Sequence, residues 1–299
     1  MAVAQISPHR PITRRKFLKS CLIAAAGLAV YAGEIERHYI SVTQHVAAVP
    51  GLPPAFDGVR IAQLSDIHLD EFTEPLFVEH AVQVVNDQNP DYVLLTGDYV
   101  THGFAPKRFA RGAAWQCANI LRNLKCPQRY AILGNHDVMI GSRIVQTAFA
   151  DNGLPMLVNS CVPLERAGGR VWLAGIDDPG VGYPRPNLAI PEAIRGIPNE
   201  PVVLLSHAPD YADHLLKTPG GQAVSLMLSG HTHGGQVRMP LVGAIYLPEY
   251  GRKYVRGWFR FGKMQLYVNC GLGTVGLPFR FNCPPEISVF TLRPSEAEA

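Results

Sequence analysis

Five short polar blocks punctuate the chain: Asp66-Ile67-His68, Gly97-Asp98, Gly134-Asn135-His136-Asp137, Ser206-His207 and Gly230-His231-Thr232-His233. Four of them follow directly on an apolar, strand-like run. Aspartate, histidine and asparagine side chains delivered to one end of a buried sheet can hold two metal ions side by side. Two metals on one carboxylate make a site for breaking phosphate esters. Singly, each block has a plainer reading: Asp66 or Asp98 as a cap or turn residue, His207 as a core histidine, Gly134-Asn135 as a simple turn. Their joint occurrence, with glycines that let the backbone turn sharply, favours the metal reading. Carboxylate, imidazole and amide ligands suit Mn²⁺, Fe or Zn²⁺ rather than an all-oxygen calcium cage.

Such residues need a scaffold that ends its strands in one place. Val59–Leu64 reads as a short strand leading into Asp66, and Tyr92–Thr96 as a continuous apolar strand of the kind buried on both faces. Between them Pro75–Asn89 is expected as a helix, with Phe77, Ala81, Val84 and Val85 on one face and Asn89-Pro90 as its stop. A helix over about Pro106–Leu124, a strand at Arg129–Leu133 and a helix from about Ser142 to Asn152 follow. The pattern then turns hairpin-like: Met156–Val158, Val162–Glu165, a Gly168-Gly169 turn and Val171–Ala174. A proline-rich run over 177–200 reads as a long surface loop near the site. Later strands are expected at Val202–Leu205, Ser225–Leu228, Gln265–Asn269 and Ile287–Leu292. In open α/β sheets, functional groups gather beyond the carboxyl ends of strands, where Asp66, Asp98, Asn135, His207 and His231 fall. The order β-α-β-α-β-α followed by mostly β argues for a layered α/β domain whose sheets sandwich a core under flanking helices.

The chain has 299 residues, 47% of them hydrophobic and 17% charged, which fits one large α/β domain and excludes a disordered chain. Its formal charge of +3 is concentrated at the start: Arg10, Arg14, Arg15, Lys16 and Lys19 precede residue 34 without an acid, and the rest carries a net −2. A body near neutrality gives no global signal for nucleic acid, and none is expected as a partner. Thr13-Arg14-Arg15-Lys16-Phe17-Leu18-Lys19 resembles a twin-arginine export signal, followed by thirteen apolar residues from Cys21 to Gly33. That run is short of the ~20 residues of a membrane span but suits a signal core, with a weak cleavage site after Ala32. The expected divisions are 1–33 as signal or anchor, 34–56 as linker, 57–294 as the domain and 295–299 as tail. Export implies the cell envelope as destination and the twin-arginine machinery as partner, with membrane association. Among the six cysteines, Cys117, Cys126 and Cys161 read as small buried hydrophobes, and a Cys270–Cys283 disulfide is a minority reading outside the cytoplasm.

The ordered pattern D-x-H, G-D, G-N-H-D, H and G-H-x-H resembles the calcineurin-like metallophosphoesterase superfamily over about residues 58–292. Gly234-Gly235-Gln236-Val237-Arg238 resembles its exported, single-domain, YkuE/YaeI-type bacterial branch. The resemblance implies a four-layer α/β/β/α sandwich with two mixed β-sheets flanked by helices, and two divalent metal ions (Mn, Zn or Fe). Asp66, His68, Asp98 and His233 would hold the first ion; Asp98 would bridge to the second, completed by Asn135, His207 and His231. A metal-bridging hydroxide would hydrolyse a phosphate mono- or diester. His136 would bind the phosphate and protonate the leaving oxygen, with Asp137 orienting its ring and raising its basicity. The substrate would be a phosphorylated small molecule or a phospholipid-type compound. Alternatives are a pyrophosphatase acting on a lipid-linked nucleotide such as UDP-2,3-diacylglucosamine, and a non-catalytic metal-binding module, against which the complete ligand set argues. Arg238, Arg252, Lys253, Arg256 and Arg260, interleaved with Tyr246, Tyr250, Tyr254 and Trp258, read more readily as a solvated hairpin than as a phosphate or headgroup contact. Tyr99, Thr101 and His102 could line the pocket.

Overall fold

The computed structural model describes residues 13–70, 72–103 and 107–295. In chain order the elements are α1 (Arg14–Val30), β1 (Ser41–Pro50), β2 (Arg60–Leu64), α2 (Pro75–Asp87), β3 (Tyr92–Leu95), α3 (Lys107–Leu121), β4 (Arg129–Ala131) and α4 (Asn135–Asp151). There follow β5 (Ser160–Arg166), β6 (Gly169–Gly175), β7 (Val202–Leu205), β8 (Val224–Ser229), the two-residue pair β9 (Arg238–Met239) and β10 (Gly243–Ala244), β11 (Gly257–Phe261), β12 (Met264–Val268) and β13 (Glu286–Ser295). One sheet runs β1-β13-β2-β3-β4, the other β11-β12-β8-β7-β6-β5, and both are mixed.

Side chains of a strand alternate between faces, and the burial follows that period of two. Val93 and Leu95 of β3 pack under α2, α3 and α4, whereas Tyr92 and Leu94 face the second sheet. Val203 and Leu205 of β7 meet them across the sandwich, and Val202 and Leu204 pack outward against short helical turns between residues 186 and 222. These three apolar layers make the four-layer α/β/β/α sandwich. Each valine or leucine so buried contributes about 1.5–3 kcal/mol relative to exposure.

The structure departs from expectation in four places. Residues 34–56 are not a linker: β1 lies in them and pairs in parallel with β13 from Ser41↔Glu286 to Pro50↔Ser295, so the sheet begins well before residue 57. An edge strand carries a mixed, half-exposed pattern, which hid it. Helix α2 buries Val78, Ala81, Val82 and Val85, leaving Phe77 and Val84 at the margin of that core. Helix α4 starts at Asn135 rather than near Ser142, because Gly134 and Asp137 form its N-terminal cap; Gly141, at φ 137°, kinks it and masks its first half in the sequence. Lastly, α1 continues through turns at Tyr31–Ile35 and Glu36–His38, giving 25 helical residues. Arg14–His38 is therefore long and apolar enough to cross a membrane, unlike the thirteen-residue run alone. Arg10, Pro106 and residues 296–299 lie outside the described residues.

Candidate metal centre

The loops after β2, β3, β7 and β8 and the start of α4 converge at one edge of the sandwich. Asp66 (φ 49°), His68 (50°), Asp98 (55°), His231 (72°) and His233 (51°) all adopt the left-handed backbone region. That region disfavours ordinary side chains, and such strain clusters where surrounding structure over-determines it. Here the over-determination is visible. The Asp66 and His68 amides donate to the carbonyls of Gly97 and Asp98 (both 3.0 Å), and the Gly230 amide donates to the His207 carbonyl (3.0 Å). The His231 amide then ties the sheets together by donating to the Asp66 carboxylate at 2.9 Å. Two glycines are steric requirements. A Cβ at Gly134 would stand 2.2 Å from Asp98 Oδ1, and one at Gly230 1.8 Å from Ser65 Oγ.

The donor atoms fall into two groups that share Asp98. His233 Nε2 lies 3.2 Å from His68 Nε2 and 3.6 Å from Asp66 Oδ1. His207 Nε2 lies 3.2 Å from both His231 Nδ1 and Asn135 Oδ1. Asp98 Oδ2 stands between them, 3.5 Å from His68 Nε2 and 3.1 Å from His207 Nε2. With metal–nitrogen bonds of about 2.0–2.1 Å, neighbouring ligands of one cation sit about 3 Å apart, so these spacings suit shared cations.

The outer ring nitrogens show which lone pairs face inward. His207 Nδ1–H donates to the Thr96 carbonyl and His231 Nε2–H to that of Glu249, each at 2.7 Å. His68 Nδ1–H, 3.2 Å from Thr101 Oγ1, donates to a hydroxyl that itself donates to Asp70. In each case the opposite nitrogen is left as a free donor to metal, the arrangement by which outer partners fix a ligating histidine.

Charge points the same way. Asp66, Asp98, Asp137 and Asp178 are all buried around the site. Arg280, also buried, gives hydrogen bonds to the carbonyls of Cys270, Gly271, Gly273 and Cys283. Burial lowers the pKa of His68 and His233 well below the ordinary value and that of His231 to about 4, so these rings are neutral. Burial also works against charge on His207, yet Asp98 and Asp66 raise its pKa well above 6.5. Buried carboxylates in such excess are stabilised by cations, and the residues present fit two of them.

Asp137 does not stand behind His136. It occupies the third position of α4, and its carboxylate turns back to accept the amides of Asp98 (2.8 Å), Tyr99 (3.0 Å) and Gly134 (2.9 Å). It therefore positions the Asp98 loop. The partner of His136 is the His102 backbone amide, which donates to Nδ1 at 2.8 Å. The ring's proton is thereby placed on Nε2. Tyr99 is core: it packs on Phe149, and its hydroxyl donates to the Leu95 and Ile132 carbonyls.

Sequence reasoning missed Asp178, which lines the cavity over the donors. Its Oδ1 accepts the Gly180 and Val181 amides, and its buried Oδ2 has no hydrogen-bond partner among the described residues. The signal was available, since Asp177-Asp178 follows the apolar strand β6 as the other blocks follow theirs. Of the basic stretch, the interleaved Tyr246 and Tyr250 line the cavity, whereas Arg238, Arg252, Lys253, Arg256 and Arg260 are not among the lining residues; Arg238 donates to the Gly234 carbonyl at 2.9 Å and Lys253 pairs with Asp213 at 2.7 Å. Cys270 and Cys283 are free thiols under Gly234.

Residues 59–235 match the calcineurin-like phosphoesterase family. The chain is similar to YkuE of Bacillus subtilis, an uncharacterized metallophosphoesterase, at 34% identity over 95% of this chain and 99% of that one. It is similar to the phosphodiesterase YaeI of Escherichia coli at 30% identity, over 94% and 99%. Among solved structures, the NAD nucleotidase NadN of Haemophilus influenzae superposes with a TM-score of 0.48 at 14% identity. That match covers 72% of this chain and 45% of NadN, less than half its length.

Proposed function

The chain belongs to the calcineurin-like phosphoesterase family, a family of metal-dependent phosphoester hydrolases, and from that premise we propose that its site cleaves a phosphate mono- or diester over two divalent cations. The observation that carries this reading is the single oxygen, Asp98 Oδ2, within 3.5 Å of His68 Nε2 and 3.1 Å of His207 Nε2. Asp66, His68, Asp98 and His233 would hold one cation, and Asp98, Asn135, His207 and His231 the other. When bound, the pair would supply Lewis-acid stabilisation of the phosphoryl oxygens and a lowered pKa for water.

The chain's own groups do the rest. His136 faces the cavity, with Nδ1 occupied by the His102 amide. With Nδ1 accepting that amide hydrogen, His136 acts as an Nε2–H donor to a phosphoryl or leaving oxygen. This differs from the general acid expected from the sequence, because stabilisation comes from a fixed hydrogen bond rather than full proton transfer. Asp137 and Asp70, through backbone amides and Thr101, hold Asp98 and His68 in place.

The test is metal analysis of the purified chain together with assays on p-nitrophenyl phosphate and bis-p-nitrophenyl phosphate. Two cations per chain and hydrolysis of at least one ester are expected. Fewer than two after reconstitution, with no hydrolysis, would overturn the reading.

Placement in the cell envelope by the twin-arginine route is part of the same proposal. It is supported by Arg14-Arg15 at the start of an apolar helix that the domain leaves exposed. Arg14→Lys with Arg15→Lys is expected to retain the chain in the cytoplasm in a fractionation experiment. Unchanged export would reject that route.

A further inference from the structure

A cavity of about 950 Å³ opens above the metal donors, and its composition divides sharply. Its floor is polar, formed by Asp98, Asn135, His136, Asp178, His231 and His233. Its walls are apolar. One is the face of α1 bearing Ala25, Leu28 and Ala29, continued past its end by Ala32; another is Val237, Met239, Ile245 and Tyr246 around the β9–β10 turn; Leu277, Phe279 and Phe281 form a third. Beyond the rim the same surfaces expose Leu241, Val242 and Leu277 on the domain and Leu22 and Ile23 on α1.

Among the described residues, the helix is hydrogen-bonded to the domain only past its C-terminal end. The Arg280 amide donates to the Ala32 carbonyl at 3.0 Å, the Cys283 amide to the buried Glu36 carboxylate at 2.6 Å, and Arg37 to the Phe72 carbonyl at 2.8 Å. From Arg14 to Val30 every residue is exposed. A helix long and apolar enough to cross a membrane, continuous with an exposed apolar rim, makes the kind of surface that a bilayer would cover.

A small, fully polar phosphate ester would use the floor and leave the walls unexplained. We propose that the substrate is a membrane lipid bearing a phosphoester, drawn from the bilayer in which α1 sits. Its phosphate lies at the metal donors and its hydrocarbon chain runs between α1 and the β9–β10 turn. On this reading α1 stays on the working protein as one wall of the binding site, and cleavage after Ala32 would remove that wall. The inference rests on the phosphoesterase reading above and names its substrate class.

The test uses the full-length, metal-loaded chain and two homologous series. Non-hydrolysable n-alkylphosphonates, methyl to decyl and below their micellar concentrations, are titrated by calorimetry. Alkyl p-nitrophenyl phosphates of the same chain lengths report turnover. Each methylene that enters the groove is expected to tighten Kd and raise kcat/KM about three- to fourfold. Leu28→Gln and Ile245→Gln, exposed positions on two of these walls, should each flatten both slopes. A Kd independent of chain length would overturn the lipid proposal while leaving the phosphoesterase reading intact. Chain-dependent binding with no ester hydrolysed would support the groove and overturn the phosphoesterase reading instead.

Discussion

His136 and Asp137 are adjacent in the chain and separate in role. One lines the cavity with its Nδ1 accepting the His102 amide; the other's carboxylate accepts three backbone amides. His136→Ala is therefore expected to keep both metals and lose about 10²–10³ in kcat, the usual effect of deleting one preorganised donor. His136→Gln, which retains an N–H, should recover part of that loss, and it should do so without changing the pH profile. Recovery confined to low pH would restore the general-acid role. At this scale the sequence was most informative about residue type: all seven expected metal donors converge. Roles that depend on direction were illegible, because which way a carboxylate turns at a helix start is settled by the amides around it. His102 contributes through its backbone, which no side-chain motif reports.

The elements hold the centre by close approach, and the glycines show how close. Gly134 has an ordinary φ of −102°, so its need for glycine is purely steric. Gly134→Ala should push the Asp98 loop away and weaken metal binding at least 10–100-fold, measured by chelator competition. Full affinity would mean that the loop can yield. A second device lies at the start of β13. Glu286 accepts hydrogen bonds from Thr43 (2.7 Å), Ser288 (2.7 Å), Tyr267 and the Cys270 amide (2.9 Å), joining β1, β12 and β13. Burial alone would raise its pKa, but these donors hold it below the ordinary 4.5. A carboxylate depressed in the folded state binds fewer protons than in the unfolded chain, so its stabilisation is present above about pH 4.5 and fades as pH falls through the folded value. Glu286→Gln should cost about 2 kcal/mol near neutrality by denaturant titration. The gap to the parent protein should narrow below pH 4.5, and a constant gap would contradict the assignment. Continuous apolar strands such as β3 and β7 were readable from their sequence, whereas β1 was not, because half of it faces water.

Over the whole molecule, four layers deliver one charged site. The four buried carboxylates around it outnumber the one buried guanidinium, Arg280, among the described residues, so cations bound there are expected to stabilise the fold. A ligand at a hundred times its Kd contributes about 2.7 kcal/mol. Stripping metal with a chelator should thus lower the thermal midpoint by several degrees, and adding divalent metal back should restore it. An unchanged midpoint would mean that the folded chain holds no metal. Layer order was legible in the sequence from the alternation of strands and helices. The fit of α1 against the cavity was not, since its apolar run has the same composition whether it leads, spans or lines.

The parallel pairing of β1 with β13 has a consequence for synthesis. In its sheet β13 lies between β1 and β2, although it is the last of the described strands in chain order. Until residues 286–295 are made, β1 has no partner in its sheet, and β2, which leads into Asp66, pairs with β3 alone. A nascent chain stalled before that point carries all seven candidate ligands and still lacks the strand that completes the sheet bearing Asp66 and Asp98. Assembly of the candidate site is therefore expected to finish only once β13 has docked between β1 and β2.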